Sequence, residues 1–152
     1  MKILDLQNIN EQKPWIEKIR KCDWDAARLL ADLLEQDKFH EMTGGGSLII
    51  MTDEGEIVSF CTLAQKDCVD DDTLFLWIGF VFTAPEYRGN RYSGQLIEFA
   101  CNKAKEQGFE KVYIATDHIG LYEKYGFTYM ESRIDIYNET CRIYYKKIND
   151  SF

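Results

Sequence analysis

Long apolar runs are missing from this 152-residue chain: none approaches the roughly 18 residues that a membrane-spanning helix needs. The opening Met1-Lys2-Ile3-Leu4-Asp5 meets an acid at once and predicts no signal peptide. Histidine is scarce, with only His40 and His118, and none of the five cysteines (22, 61, 68, 101, 141) forms a Cys-x-x-Cys pair. So few soft ligands at such spacing predict no zinc site, and an odd, scattered set of cysteines fits free thiols in a reducing cytosol. No repeat, linker or low-complexity stretch divides the sequence, so residues 1–152 are expected to form one domain. Positive charge is in deficit: 18 Lys and Arg stand against 26 Asp and Glu, a net of −8. A phosphate backbone rewards a basic face, which argues against nucleic acid as the main partner. The acidity leaves two readings open, attraction of a cationic substrate such as an amine or plain solubility.

What is present is apolar material in short, patterned segments. Hydrophobic residues make up 45% and aromatics 14%, enough for a packed core and too much for general disorder. Residues 14–22 and 24–39 are predicted as helices, the second with Asp23 as N-cap and Ala27, Leu30, Ala31 and Leu34 on one face. Residues 43–47 (TGGGS) read as a flexible hinge; no Gly-Lys-Ser/Thr follows, so they are not a phosphate loop. A hairpin is expected from 48–51 and 57–65 across Asp53-Glu54-Gly55, then an acidic loop over 67–72. Residues 111–116 predict a second buried strand and 122–125 a short helix ended by Gly126. Residues 127–135 and 141–148 predict a closing antiparallel pair around Asn138-Glu139. The order is that of an α+β domain.

Function is most legible between residues 73 and 108. Residues 73–83 (TLFLWIGFVFT) form a nearly continuous apolar and aromatic run, as a strand buried on both faces would. Residues 93–107 place Leu96, Ile97, Ala100, Cys101 and Ala104 at helical spacing, and Gly108 stops them as an αL cap. Between lies Pro-Glu-Tyr-Arg-Gly-Asn-Arg-Tyr-Ser-Gly, residues 85–94. A strand that turns through a basic, glycine-bearing loop into a helix makes an anion cradle: the first helical N–H groups are unpaired, and the dipole favours negative charge. Arg88 and Arg91 would add to it, the bland alternative being two solvated arginines.

Residues 87–94 resemble the pyrophosphate loop of the GNAT N-acetyltransferase superfamily, Arg/Gln-x-x-Gly-x-Gly/Ala. Arg88 matches the opening residue, Arg91 stands at the first motif glycine and Ser93 at the closing Gly/Ala. Pro85 to Gly89 is a frequent lead-in for that family. Leu121-Tyr122-Glu123-Lys124-Tyr125-Gly126-Phe127 resembles its second signature, Leu/Phe-Tyr-Glu-Lys-x-Gly-Phe. The resemblance implies a GNAT-like, mostly antiparallel twisted sheet flanked by helices, with a splayed central strand pair.

It also implies acetyl-CoA as co-substrate and an acyltransferase passing the acetyl group to a primary amine by direct attack, with no metal. Val81, Phe82 and Thr83 would pair with the pantetheine arm. Arg88, Gly89, Asn90, Arg91, Tyr92, Ser93 and Gly94 would hold the pyrophosphate. Tyr122 would be the general acid toward the leaving thiolate, a role that suits a phenol protonated at neutral pH. Asp117 and His118 close the second buried strand and are candidates for a proton relay, Asp117 alternatively for a helix N-cap. Family members often carry a glutamate base on the strand before the loop; none occurs between Thr73 and Pro85. Gly79, inside that strand, marks either a bulge that opens the slot or a tight aromatic neighbour such as Trp77. The expected partner is a small-molecule or peptide amine in the cytoplasm, with neither nucleic acid nor membrane and with a second copy of the chain as a further candidate. A silent acyl-CoA-binding regulatory module is the alternative.

Overall fold

The computed structural model describes residues 1–148, and they are built around one sheet. Its strands are β1 (Lys2–Asp5), β2 (Ser47–Asp53), β3 (Glu56–Ala64), β4 (Trp77–Thr83), β5 (Lys111–Thr116), β6 (Thr128–Ile134) and β7 (Thr140–Lys147). They lie in the order β1-β2-β3-β4-β5-β7-β6. Every neighbouring pair is antiparallel except β4 and β5. A parallel pair needs a crossover, here the helix α4 (Tyr92–Glu106). Helices α1 (Lys13–Arg20), α2 (Asp25–Glu35) and α3 (Phe39–Thr43) precede β2. This is the expected α+β architecture. Among the described residues no helix is long and apolar enough to cross a membrane.

Alternation along the strands gives each face its own core. Ile49, Met51, Cys61, Leu63 and Ile114 pack with Leu96, Ile97, Ala100 and Ala104 of α4. Leu48, Ile50 and Phe60 point the other way, onto Ile16 and Ile19 of α1 and Ala27 and Leu30 of α2. Gly108 (φ 90°) ends α4 as expected: its N–H donates to Lys105 O, and that of Phe109 to Ala104 O, a Schellman closure.

Several expectations are corrected. Strand β4 begins at Trp77, and residues 73–76 belong to the preceding loop, where Thr73 is turned by Asp71. Trp24, and not Asp23, occupies the N-cap of α2, with no side-chain cap. That helix stops at Glu35, short of the predicted end, because Asp37 adopts φ 58° and Lys38 N–H closes on Leu33 O; α3 starts only at Phe39, the last residue of the predicted span. The TGGGS segment joins α3 to β2, with Thr43 the last residue of α3, Gly44 (φ 69°) its C-cap and Ser47 the first residue of β2. Strand β1 was not anticipated. Asp117 caps no helix: the short 3-10 turn Tyr122–Tyr125 has Leu121 at its N-cap.

The splay between β4 and β5 is present, since the two strands share one paired position, Trp77 with Tyr113. The bulge lies just beyond Gly79. Facing β3, Phe60 pairs with Phe82 and Thr62 with Gly79, so β4 spends one residue more than its neighbour. Phe80 takes it up at φ 49°. The extra residue resets the alternation: Ile78 and Val81 face α4, whereas Phe80 and Phe82 both face α2. Gly79 itself answers to a carboxylate and not to Trp77. A Cβ there would stand 2.3 Å from Asp67 Oδ1 and 3.1 Å from Thr62 Oγ1.

Candidate active site

The cleft opens where β4 leaves β5. After Thr83 the chain is tied to β3 by Ala84 N–H on Val58 O (2.8 Å) and turns through a 3-10 segment, Pro85–Tyr87. Arg88 Nε donates to Thr83 O at 3.0 Å, and its guanidinium lies over the Phe82 ring, so this arginine braces the turn as well as charging it. Asn90 Nδ2 donates to Tyr87 O at 3.1 Å. Gly89 has φ 86° and Arg91 φ 61°, two left-handed residues that swing the backbone into α4. Arg91 is the N-cap, and no side chain caps the helix. The first amides of a fifteen-residue helix are thus left for another acceptor.

A cavity of about 680 Å³ lies in front of that helix end. Its wall brings together Val81, Phe82, Thr83, Arg88, Gly89, Arg91, Tyr92, Ser93, His118 and Tyr122 from the expected set. Asn90, Gly94 and Asp117 do not line it. Asn90 is used inside the turn. Gly94 is required by packing: a Cβ there would stand 2.5 Å from the Tyr125 ring, whose hydroxyl is 3.3 Å from Ser93 Oγ. Asp117 is exposed and acts at a distance, as one of the charges that bear on Tyr122. His118 is exposed at the rim, its backbone N–H donating to Thr116 Oγ1 at 3.1 Å.

Tyr122 is 5% exposed. Burial first, then the neighbouring Cys61, Tyr125 and Asp117, push its phenol up to about 12. It therefore keeps its proton throughout the neutral range. Sequence reasoning missed Asp23 and Trp24 of the α1–α2 connection, together with Tyr87, Lys124 and Tyr125. Lys124 and Tyr125 lie within the second motif, but nothing in a helical pattern marks Trp24 as a cavity wall. Among the described residues no group of three or more His, Cys, Asp or Glu is placed to hold a metal.

A family model for acetyltransferases of the GNAT family matches residues 13–127. The chain belongs to the GNAT acetyltransferase family. No curated protein matches it in sequence. Solved GNAT structures match across nearly the whole fold. An aminoglycoside 6′-N-acetyltransferase complexed with coenzyme A superposes with a TM-score of 0.72 at 14% identity, covering 100% of this chain and 99% of that one. The aminoglycoside 6′-N-acetyltransferase of Enterococcus faecium gives 0.71 at 13%, again over 100% and 99%. A GNAT family N-acetyltransferase from Escherichia coli in complex with CoA gives 0.68 at 20%, over 98% and 82%. At such identities the likeness is one of fold. In GNAT terms, Arg91 fills the motif's glycine position and supplies the left-handed backbone that a glycine adopts freely.

Proposed function

We propose that this chain is a cytosolic N-acetyltransferase that moves an acetyl group from acetyl-CoA to a primary amine by direct attack. The observation that carries the reading is the joining, in one cleft, of an uncapped helix end, three cationic side chains (Arg88, Arg91, Lys124) and the free side of a splayed strand. The helix amides and the arginines suit a pyrophosphate. Val81 to Thr83 offer a strand's main-chain groups to the pantetheine arm. As the amine nitrogen bonds to the thioester carbon, charge develops on the carbonyl oxygen and is met by N–H groups of the bulged strand. The carbon–sulfur bond then breaks, and Tyr122 faces the departing sulfur.

Burial holds the proton on the Tyr122 oxygen through the neutral range. Tyr122 is therefore available to the developing thiolate as a hydrogen-bond donor and as the acid that protonates it.

Two substitutions test the reading. Arg88→Ala should weaken CoA binding by about one to two decades in calorimetry. Tyr122→Phe should leave that affinity nearly unchanged and lower kcat by about a hundredfold. Tyr125→Phe should keep most of the activity, since the Tyr125 hydroxyl makes a long contact, 3.3 Å, to Ser93 Oγ. A protein that binds acetyl-CoA and acetylates nothing across a broad amine panel would instead be a regulatory module.

A further inference from the structure

Across β4 from the cleft lies a second cavity, of about 220 Å³. Trp24 lines both, and the bulge divides the strand between them: Val81 faces the first cavity and Phe80 the second. The wall of the second is mostly apolar, from Trp24, Ala26, Leu29, Met42, Phe80 and Tyr137, and it holds one carboxylate, Asp67. That carboxylate lies over Gly79, the one residue of β4 whose lack of a Cβ makes room for it. Beside it Thr62 Oγ1, in a residue only 1% exposed, has no hydrogen-bond partner among the described residues. Desolvation raises the Asp67 pKa above the usual carboxylate range, and the amide and thiol of Cys68 lower it.

We propose that this cavity receives the acceptor amine, a primary amine on a small apolar or aromatic body, and that Asp67 takes its proton. The proposal rests on the acetyltransferase reading. An ammonium entering here finds a buried carboxylate over the strand whose other face meets the thioester. The site is smaller than the roughly 300–1,000 Å³ of drug-sized ligand sites, and its single carboxylate, with Lys66 on the same wall to repel further cationic groups, suits one ammonium better than a polyhydroxylated polyamine. The strand glutamate common in the family is missing, and a carboxylate from the β3–β4 loop stands over the same strand.

The step balances. Asp67 accepts a proton from R–NH₃⁺, and the free nitrogen attacks the acetyl carbon. The carbon–sulfur bond breaks, and the nitrogen gives up a second proton. One proton reaches sulfur, and one is released as Asp67 recovers its charge. Other titratable groups facing Asp67 are Lys66 and Cys68 of its own loop and Tyr137 of the β6–β7 connection, with Asp135 and Cys141 behind.

The test measures CoA release with 2-phenylethylamine and with an aminoglycoside, for the wild type, Asp67→Asn and Gly79→Ala. The wild type should prefer 2-phenylethylamine by at least about tenfold in kcat/KM. Asp67→Asn should lose about a hundredfold or more while acetyl-CoA affinity holds. The wild-type kcat/KM should fall as pH drops through the raised Asp67 ionisation, and that limb should vanish in the variant; a merely structural aspartate would not move it. Gly79→Ala keeps the carboxylate but displaces it, so it should lose activity without losing the fold, and it serves if Asp67→Asn does not fold. Turnover within threefold of wild type in both variants, or a preference for the aminoglycoside, would overturn this inference and leave the acetyltransferase standing. Absence of CoA release with any amine, despite bound acetyl-CoA, would overturn both.

Discussion

Arg91 does two opposed things at one position. Its side chain adds charge to the cradle, but its backbone sits at φ 61°, ψ 25°, a region that costs a non-glycine residue about 1 kcal/mol. Glycine would adopt the same turn without strain and would remove the charge. Arg91→Gly should therefore raise the melting temperature by about 2–4 °C and weaken CoA binding about tenfold. Calorimetry reads both quantities on one sample, and a change of the same sign in both would count against the assignment. Gly79 is a second position where backbone and site share one residue. There a missing methyl group, and not a mobile φ, admits the Asp67 carboxylate.

At the scale of elements, the contrast between two helix ends shows what was legible and why. Helix α4 was read nearly to its limits because Gly108 occupies the left-handed position that closes it. Helix α2 closes in the same way through Asp37 (φ 58°), but aspartate is common in helices and loops alike, so no stop signal reached the sequence reading. Gly108→Ala should cost about 1 kcal/mol, a fall of about 2–4 °C in melting temperature by scanning calorimetry; an unchanged value would mean that the Schellman closure contributes nothing. Strand β4 was legible as apolar but not in phase, because its bulge follows from pairing with β3. Arg88, Arg91 and Tyr122 could be placed because their motifs are local. Trp24 could not, because it reaches the cavity from the α1–α2 connection, far in sequence from both motifs.

For the whole molecule, buried acids of low charge set the response to alkali. Burial raises the Tyr122 phenol to about 12 and the Cys101 thiol to about 11, and it raises Cys61 further still. The unfolded chain would release these protons near 10 for tyrosine and 8.5 for cysteine. Stability is therefore full below about pH 8.5 and declines as pH rises toward 12, by roughly 3 kcal/mol for Tyr122 alone at the upper end. The melting temperature should hold from pH 7 to 8 and drop by several degrees by pH 10.5, less steeply in Tyr122→Phe. A melting curve indifferent to pH up to 11 would contradict that burial.

Most sheets carry their unpaired rims on the outside, where another chain can add to them and aggregation begins. The single paired position between β4 and β5, Trp77 with Tyr113, gives this sheet two further rims in its interior, along Val81–Thr83 and Ala115–Thr116. They diverge from that one pair, so their main-chain groups face each other across the cleft and not the outside of the molecule, and what is a polymerisation hazard at the rim of a sheet is turned inward at its centre.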